Sequence, residues 1–244
     1  MANTVFITGG SAGIGAACAR LAAAEGRDVI LTYNSDKAGA EAVAADVRAA
    51  GQMAQVIKCN VGDPAQIAAA FDEIDPAAQI DLINNAGIVG QTAKIADLTA
   101  ARVAEIFNIN VVGAIEVARL AVAHMRGCGT PAGIVNISSA AARLGSANQY
   151  VDYAASKGAI DTFTIGLADE LAPEGIRVNA IRPGLIETEL HAKGGEPGRA
   201  DRLAHMVPMK RKGSAEEVAQ GILWLLSDNA SYVTRTIVDV AGGR

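Results

Sequence analysis

Short runs of β-branched and aliphatic residues alternate along the whole chain with longer alanine-rich stretches. This alternation is typical of βαβ units, in which helices connect parallel strands. Several of the short runs are apolar at every position, as expected of strands that helices cover on both faces. The pattern predicts one α/β domain over residues 1–244, with a doubly wound sheet of seven parallel strands. The predicted strands are TVFITG, DVILTY, AQVIKCNV, IDLINNAG, GIVNISS, IRVNAIRPG and TIVDVAGG.

The alanine-rich stretches between these runs predict helices. Asp63, directly before a proline, and Ser214, directly before AEE, are candidate N-caps. The segment from Glu187 to Lys212 is rich in glycine and proline and too long for an ordinary connection, which favours a substrate lid over a disordered loop. The predicted helices are Ile14–Glu25, Lys37–Ala50, Pro64–Ile74, Ala100–Met125, Tyr153–Leu171 and Ala215–Ser227.

Composition excludes several classes of function. The net charge of -5 argues against a nucleic-acid partner, because such proteins usually carry a basic excess. Cys18, Cys59 and Cys128 are odd in number and widely spaced, so we expect free thiols and no metal site. The N-terminus shows no export signal, and the apolar run Val218–Leu226 is too short to span a bilayer. We therefore expect a cytoplasmic protein with no membrane partner.

A glycine-rich loop, ITGGSAGIG at Ile7–Gly15, joins the first predicted strand to the first helix. Gly9 suits the tight turn, Gly13 lets the backbone approach a pyrophosphate, and Gly15 lets the helix pack closely on the strand. The helix N-terminus then offers free amides to an anion, and Ser11 and Ile14 belong to the same loop. The loop predicts dinucleotide binding in a Rossmann fold.

The end of the second strand should contact the adenosine ribose of the dinucleotide. Tyr33, Asn34 and Ser35 stand there, followed by Asp36 and Lys37. An acidic residue at this place usually holds a free 2′-hydroxyl and would repel a 2′-phosphate. The neutral donors and the lysine favour NADP, although the nearby Asp36 leaves NAD open as the coenzyme.

The motif YAASK places Tyr153 and Lys157 four residues apart, on one face of a predicted helix. Together with the glycine loop, this motif makes the chain resemble the short-chain dehydrogenase/reductase family over its whole length. Further motifs agree in order and spacing: NNAG at 84–87, NIN at 108–110, NISS at 136–139 and RPGLIET at 182–188.

The resemblance implies a catalytic tetrad of Asn110, Ser139, Tyr153 and Lys157. Tyr153 would be the general acid or base, and Ser139 would hold the substrate oxygen. Lys157 would lower the pKa of Tyr153 and bind the nicotinamide ribose, while Asn110 would hold a water that relays protons. The resemblance also implies coenzyme contacts beyond the glycine loop, from Asn60, Val61, Asn85, Ala86, Gly87, Pro183, Gly184, Ile186 and Thr188.

Two positions depart from the family pattern. Asn60 stands where relatives often carry an aspartate, and Arg235 replaces a glycine that is common before the last strand. Gln149 is a candidate substrate contact, and His191 in the predicted lid is another. Tyr150 is a rival phenol, but it lacks a lysine four residues later, so we interpret it as a wall of the substrate pocket or as ordinary packing.

The resulting hypothesis is an NADP-preferring oxidoreductase, expected as a homotetramer, that interconverts a carbonyl and a secondary alcohol on a small substrate. Two enzymatic alternatives are a 3-oxoacyl-[acyl-carrier-protein] reductase and a sugar dehydrogenase. The first would need a basic surface near the pocket, for which Arg102, Arg143 and the run 210–212 are candidates. The alternative of another class is a dinucleotide-sensing regulator without catalytic activity.

Overall fold

The computed structural model describes residues 4–129, 131–187, 196 and 198–244 of the chain. Seven parallel strands form one sheet in the order β3-β2-β1-β4-β5-β6-β7, which confirms the predicted fold class. The strands are β1 Thr4–Ile7, β2 Asp28–Tyr33, β3 Ala54–Lys58, β4 Ile80–Asn84, β5 Ala132–Ile137, β6 Ile176–Pro183 and β7 Ile237–Val240. Reversal of the strand order beside β1 creates a crevice at the carboxyl ends of β1 and β4, where doubly wound folds bind ligands.

The helices lie close to their predicted ranges. They are α1 Gly13–Ala24, α2 Lys37–Ala49, α3 Pro64–Asp72, α4 Ala100–Phe107, α5 Ala114–Cys128, α6 Ala141–Leu144, α7 Val151–Leu171, α8 Arg199–Leu203 and α9 Ala215–Leu226. Both predicted N-caps form, since the Asp63 carboxylate accepts from Ala65 N and Ser214 closes a capping box with Glu217.

Two apolar cores cover the two faces of the sheet. Successive residues of β1 point to opposite sides, so Val5 and Ile7 join one core while Phe6 joins the other. Helices α1, α2 and α9 pack on the first face, and α3, α5 and α7 pack on the second. Burial on both faces explains why the strand sequences are apolar throughout.

The predicted single helix Ala100–Met125 is interrupted in the structure. A π-helical turn over Asn108–Gly113 separates α4 from α5. The backbone of this turn lies against the loop after β3: Asn108 Nδ2 donates to the Gly62 carbonyl, and a Cβ on Gly113 would lie 2.0 Å from the Val61 carbonyl oxygen. Such wide turns redirect side chains at functional sites, and Asn110 stands in this one.

By length and composition alone, the helical stretch Ala100–Cys128 could cross a membrane. Its buried side chains, among them Val117, Ala121 and Met125, belong instead to the core on the second face of the sheet.

Arg235 adopts φ 64°, in the left-handed region where glycine is favoured. Its backbone N–H donates to the Val178 carbonyl and its guanidinium pairs with Asp169, which fixes the turn before β7.

Candidate active site

A cavity of about 350 Å³ opens at the carboxyl ends of the central strands. Most of the residues predicted to bind the coenzyme line it, together with three of the predicted tetrad. The predicted residues in the wall are Gly9, Ser11, Gly13, Ile14, Tyr33, Asn34, Ser35, Asn60, Val61, Asn85, Ala86, Gly87, Ser139, Tyr153, Lys157, Pro183, Gly184 and Ile186. The structure therefore brings the separate sequence motifs to one site.

The glycine-rich loop is tied to the end of β4. Asn85 Nδ2 donates to the carbonyls of Thr8 and Gly9 at 2.8 and 2.9 Å. Thr8 Oγ1 in turn accepts from the backbone N–H groups of Asn85 and Ala86, both at 2.9 Å. Gly15 lies behind this loop and outside the cavity wall; a Cβ there would sit 2.4 Å from the Gly9 carbonyl oxygen. The close approach leaves room only for glycine at that position.

The start of α1 fits the pyrophosphate of a dinucleotide. Its N-cap, Ala12, supplies no side-chain hydrogen bond, and the first turn contains no acidic residue. Ala12, Gly13 and Ile14 line the cavity, so the free amides of the first turn face it. An anion placed there would accept hydrogen bonds from these amide N–H groups and would lie at the positive end of the helix dipole.

The adenosine end of the cavity is polar and open. Asn34 and Ser35 are exposed directly after β2, while the Asp36 carboxylate caps α2 by accepting from Gly39 N at 2.9 Å. The Asn60 side chain turns to its own loop, where Oδ1 accepts from Gly62 N at 3.0 Å. Asp36 is thus held by its helix, although it also borders the cavity.

Ser139 follows β5 and Tyr153 lies in the first turn of α7, and both line the cavity, where Ser139 is near enough to lower the pKa of the Tyr153 phenol. Ser139 Oγ also accepts from Ala141 N at 3.1 Å. The neighbouring Ser138 hydroxyl instead donates to the Lys157 carbonyl at 3.2 Å, which anchors α7 to the end of β5. The strand end thus presents one hydroxyl to Tyr153 and uses the other to place the helix.

Lys157 lies one helical turn after Tyr153 and is buried. Its Nζ donates to the Ile137 carbonyl at 2.7 Å and lies 5.7 Å from the centre of the Tyr153 ring. Burial lowers the pKa of Lys157 to about 8, against a smaller upward effect of Asp161. Burial also raises the pKa of Tyr153, and the Ser139 hydrogen bond opposes that rise. In both side chains, burial therefore favours the uncharged form over the charged form, compared with water.

Asn110 lies behind the cavity wall. Its Oδ1 accepts from Ile88 N at 2.8 Å, and its Nδ2 donates to the Ile88 carbonyl at 2.9 Å and to Ser156 Oγ at 3.1 Å. Gly87 separates the amide from the lysine, since a Cβ on Gly87 would be 3.1 Å from Asn110 Oδ1 and 3.5 Å from Lys157 Nζ. The amide thus fixes the loop after β4 beside Lys157.

Among the predicted substrate contacts, Ser139 lines the cavity, whereas Gln149 and Tyr150 are not among its lining residues. Tyr150 is buried, with its hydroxyl 2.9 Å from Thr92 Oγ1. Gln149 Oε1 accepts from Arg199 Nη2 at 2.6 Å. The predicted substrate contact His191 and the predicted coenzyme contact Thr188 lie outside the residues that the structure describes.

Sequence reasoning missed an ion pair beside the catalytic motif. Arg102 Nε donates to Asp152 Oδ2 at 2.7 Å, and only 1% of the Asp152 side chain is exposed. Asp152 Oδ1 accepts from Tyr153 N at 3.0 Å, so the pair helps to fix the start of α7. The signal in the sequence was a carboxylate directly before Tyr153, but its partner is 50 residues away.

Comparison with known proteins agrees with this geometry. Residues 9–244 match the family model described as enoyl-(acyl carrier protein) reductase. The chain is 50% identical to the uncharacterised oxidoreductase YgfF of Escherichia coli (strain K12), over 98% of both chains.

Solved structures of relatives are also similar. A short-chain dehydrogenase from Burkholderia cenocepacia J2315 in complex with NADP has a TM-score of 0.90 and 33% identity, over 98% of this chain and 96% of that one. An NAD+-bound xylitol dehydrogenase has a TM-score of 0.89 and 32% identity, over 99% and 98%. The chain therefore belongs to the short-chain dehydrogenase/reductase family and is a nicotinamide-dependent oxidoreductase.

Proposed function

We propose that the protein interconverts a carbonyl and a secondary alcohol on a small organic substrate, with NADP as the preferred coenzyme. The observation that carries this proposal is the convergence of Ser139, Tyr153 and the buried Lys157 in one wall of the cavity, with Ser139 near enough to lower the pKa of the Tyr153 phenol. A bound nicotinamide coenzyme supplies or accepts the hydride in this reaction.

Tyr153 moves the proton. In reduction, its hydroxyl donates to the carbonyl oxygen as negative charge grows there, and in oxidation the phenolate takes the proton back. Ser139 holds the same oxygen by a hydrogen bond that strengthens with its charge. Both residues line the same cavity wall, which supports a donor and an orienting group that act on one substrate atom.

Lys157 and Asn110 support the proton transfer. The ammonium of Lys157 favours the phenolate of Tyr153, which counters the effect of burial, and it is placed to hold the ribose hydroxyls of the coenzyme. Asn110 lies next to it across Gly87, which supports a water-mediated route for protons from Lys157 to solvent. The bonds to Ile88 give Asn110 a second role, as a clamp on the loop after β4.

The preference for NADP rests on the end of β2. Asn34, Ser35 and Lys37 are exposed there, and the Asp36 carboxylate is engaged as the N-cap of α2. A 2′-phosphate would meet neutral donors and one cation. A fluorescence titration should therefore give tighter binding of NADPH than of NADH, and Asn34→Asp should weaken NADPH binding more than NADH binding. Tighter binding of NADH by the unaltered protein would contradict the preference.

Most of the basic candidates for the acyl-carrier-protein alternative form ion pairs, while Lys210 Nζ donates to the His205 carbonyl; this pairing gives that alternative less support. Arg102 pairs with Asp152, and Arg143 pairs with Asp239. In the basic run, Arg211 pairs with Glu217, and Lys212 pairs with Glu187 and Asp201. A sugar or polyol substrate stays an alternative, because the NAD+-bound neighbour is a xylitol dehydrogenase.

Turnover of a panel of aldehydes and ketones with NADPH tests the function against the regulator alternative. Tyr153→Phe should reduce kcat by at least about 100-fold, because it removes the proton donor. Tyr150→Phe is the matched control, since it deletes the hydroxyl of the other phenol near α7. Equal rates for the unaltered protein and Tyr153→Phe, or no turnover by either, would contradict the enzymatic proposal.

We further propose a cytoplasmic homotetramer in which the segment 187–212 closes over the substrate. Exposed Val112 and Ile115, on the helical stretch through Asn110, support an association surface there. Light scattering of the purified protein measures the assembly directly, and a monomer at micromolar concentration would contradict it.

A further inference from the structure

Arg199, at the start of α8, is a buried cation close to the catalytic helix. Only 7% of the residue is exposed. Its Nη2 donates to Gln149 Oε1 at 2.6 Å, and its guanidinium lies 5.2 Å from the centre of the Tyr150 ring. Its Nε is buried without a hydrogen-bond partner. Nε therefore has no acceptor, and the adjacent Nη2 donates to a neutral amide oxygen.

The positive charge of Arg199 is not neutralised by contact. Among the residues that the structure describes, no carboxylate forms an ion pair with it; nearby Glu196 instead accepts from Thr92 and pairs with Arg202. Burial lowers the pKa of Arg199, and the charges of Arg244 and Arg202 lower it further, against upward effects of Tyr150 and Glu196. A buried cation without an ion pair favours an incoming anion.

The position of Arg199 relates it to the substrate. Its partners Gln149 and Tyr150 belong to the segment that joins Ser139 to Tyr153, the two groups proposed to hold the reacting oxygen. Tyr150 is the N-cap of α7 and precedes Tyr153 by three residues, or about one helical turn of ~5.4 Å. The guanidinium over the Tyr150 ring therefore lies beside the residue that stands one helical turn before Tyr153.

We propose that Arg199 binds the carboxylate of a small keto- or hydroxy-acid substrate, whose reacting carbon lies several bonds from the acid group. Nε and Nη2 form the edge of a guanidinium that binds a carboxylate in bidentate fashion. The carboxylate takes the unused Nε and displaces Gln149 Oε1 from Nη2. This inference rests on the proposed carbonyl–alcohol chemistry and adds the class of substrate to it.

The kinetic test compares acids with their own methyl esters. With NADPH, we expect kcat/KM for 4-oxopentanoate and 5-oxohexanoate to exceed that for the esters by about tenfold or more. Arg199→Gln should lower kcat/KM for the acids by about 10- to 100-fold and change the values for the esters less than about threefold. Arg211→Gln, with the same change of charge at an exposed site in the same segment, should leave the ratio of acid to ester unchanged.

A second measurement uses the unaltered protein, so it does not depend on folding of a variant. Hexanoate should inhibit ester reduction competitively, and hexanamide of the same shape should inhibit at least about tenfold less. Equal inhibition by the two, or stronger inhibition by inorganic phosphate, would overturn the assignment of a carboxylate site. An acid-to-ester ratio that Arg199→Gln leaves unchanged would also overturn it while the proposed function stands, whereas no reduction of any carbonyl would contradict the function itself.

Discussion

Without coenzyme, the protein should become more stable as the pH rises from about 8 to about 10, because Lys157 is buried. Burial lowers its pKa from 10.5 to about 8 in the folded protein. In the unfolded chain the same lysine keeps its ordinary pKa of about 10.4. Between these two values the unfolded chain binds one proton more than the folded protein, so raising the pH favours the folded state.

The magnitude follows from the same two values. At ~1.36 kcal/mol per pKa unit, the decrease from 10.5 to about 8 corresponds to ~3 kcal/mol in the free energy of unfolding. Tyr153 acts in the opposite direction above about pH 10, where the unfolded chain loses the phenolic proton and the folded protein keeps it. The gain should therefore be largest just below pH 10, at about 2–3 kcal/mol.

Urea unfolding followed by circular dichroism, at several pH values from about 7 to 10, measures this gain. Lys157→Met removes the titrating group and should abolish most of the rise in the free energy of unfolding with pH. The control Lys58→Met, at an exposed position, should preserve this rise. The variant should also be at least as stable as the unaltered protein near pH 7, since an apolar side chain costs no desolvation of charge there. A flat profile for the unaltered protein, or an undiminished rise in Lys157→Met, would refute the assignment.

Three further predictions concern positions around the site. Gly15→Ala should weaken NADPH binding at least about tenfold in a fluorescence titration, because its Cβ would collide with the glycine loop; unchanged affinity would show that the loop can relax. Arg102→Ala and Asp152→Ala should each lower the free energy of unfolding by about 2–4 kcal/mol, and the double variant should lose less than their sum; strict additivity would contradict the ion pair. Cys18 should resist thiol reagents until the protein unfolds, since it is fully buried and burial raises its pKa; fast labelling of Cys18 in the native protein, seen by mass spectrometry, would be the contrary result.

The sheet could be predicted from sequence because its strands carry a local signal. A run such as DVILTY, which is apolar on both faces, indicates a strand that helices cover on both sides of a parallel sheet. The caps at Asp63 and Ser214 were predictable for the same reason, since a cap needs only residues within one turn of the helix.

The π-turn and the long-range pairs could not be predicted, because they depend on contacts between distant segments. Nothing local in NINVVG interrupts a helix, and the turn forms where Asn108 and Gly113 meet the loop after β3. In the sequence, Asp152 has the context of an ordinary residue in the first turn of a helix. Its partner Arg102 lies 50 residues earlier in the chain, so no local pattern predicts their ion pair. Arg199 lies in a glycine-rich segment where the sequence offered no periodicity to place it.

Lys157 and Arg199 share a property that stability alone does not explain. Each is buried, and each donates to a neutral oxygen, the Ile137 carbonyl or the Gln149 amide. A well-packed apolar side chain would avoid the desolvation of a charge at either position. Lys157 stands one helical turn after Tyr153, and the guanidinium of Arg199 lies over the ring of Tyr150, which stands one turn before it. Both charges lower the stability of the free protein. A substrate that brings negative charge to both positions explains why they are kept: the reacting oxygen becomes negative near Lys157, and a carboxylate binds at Arg199.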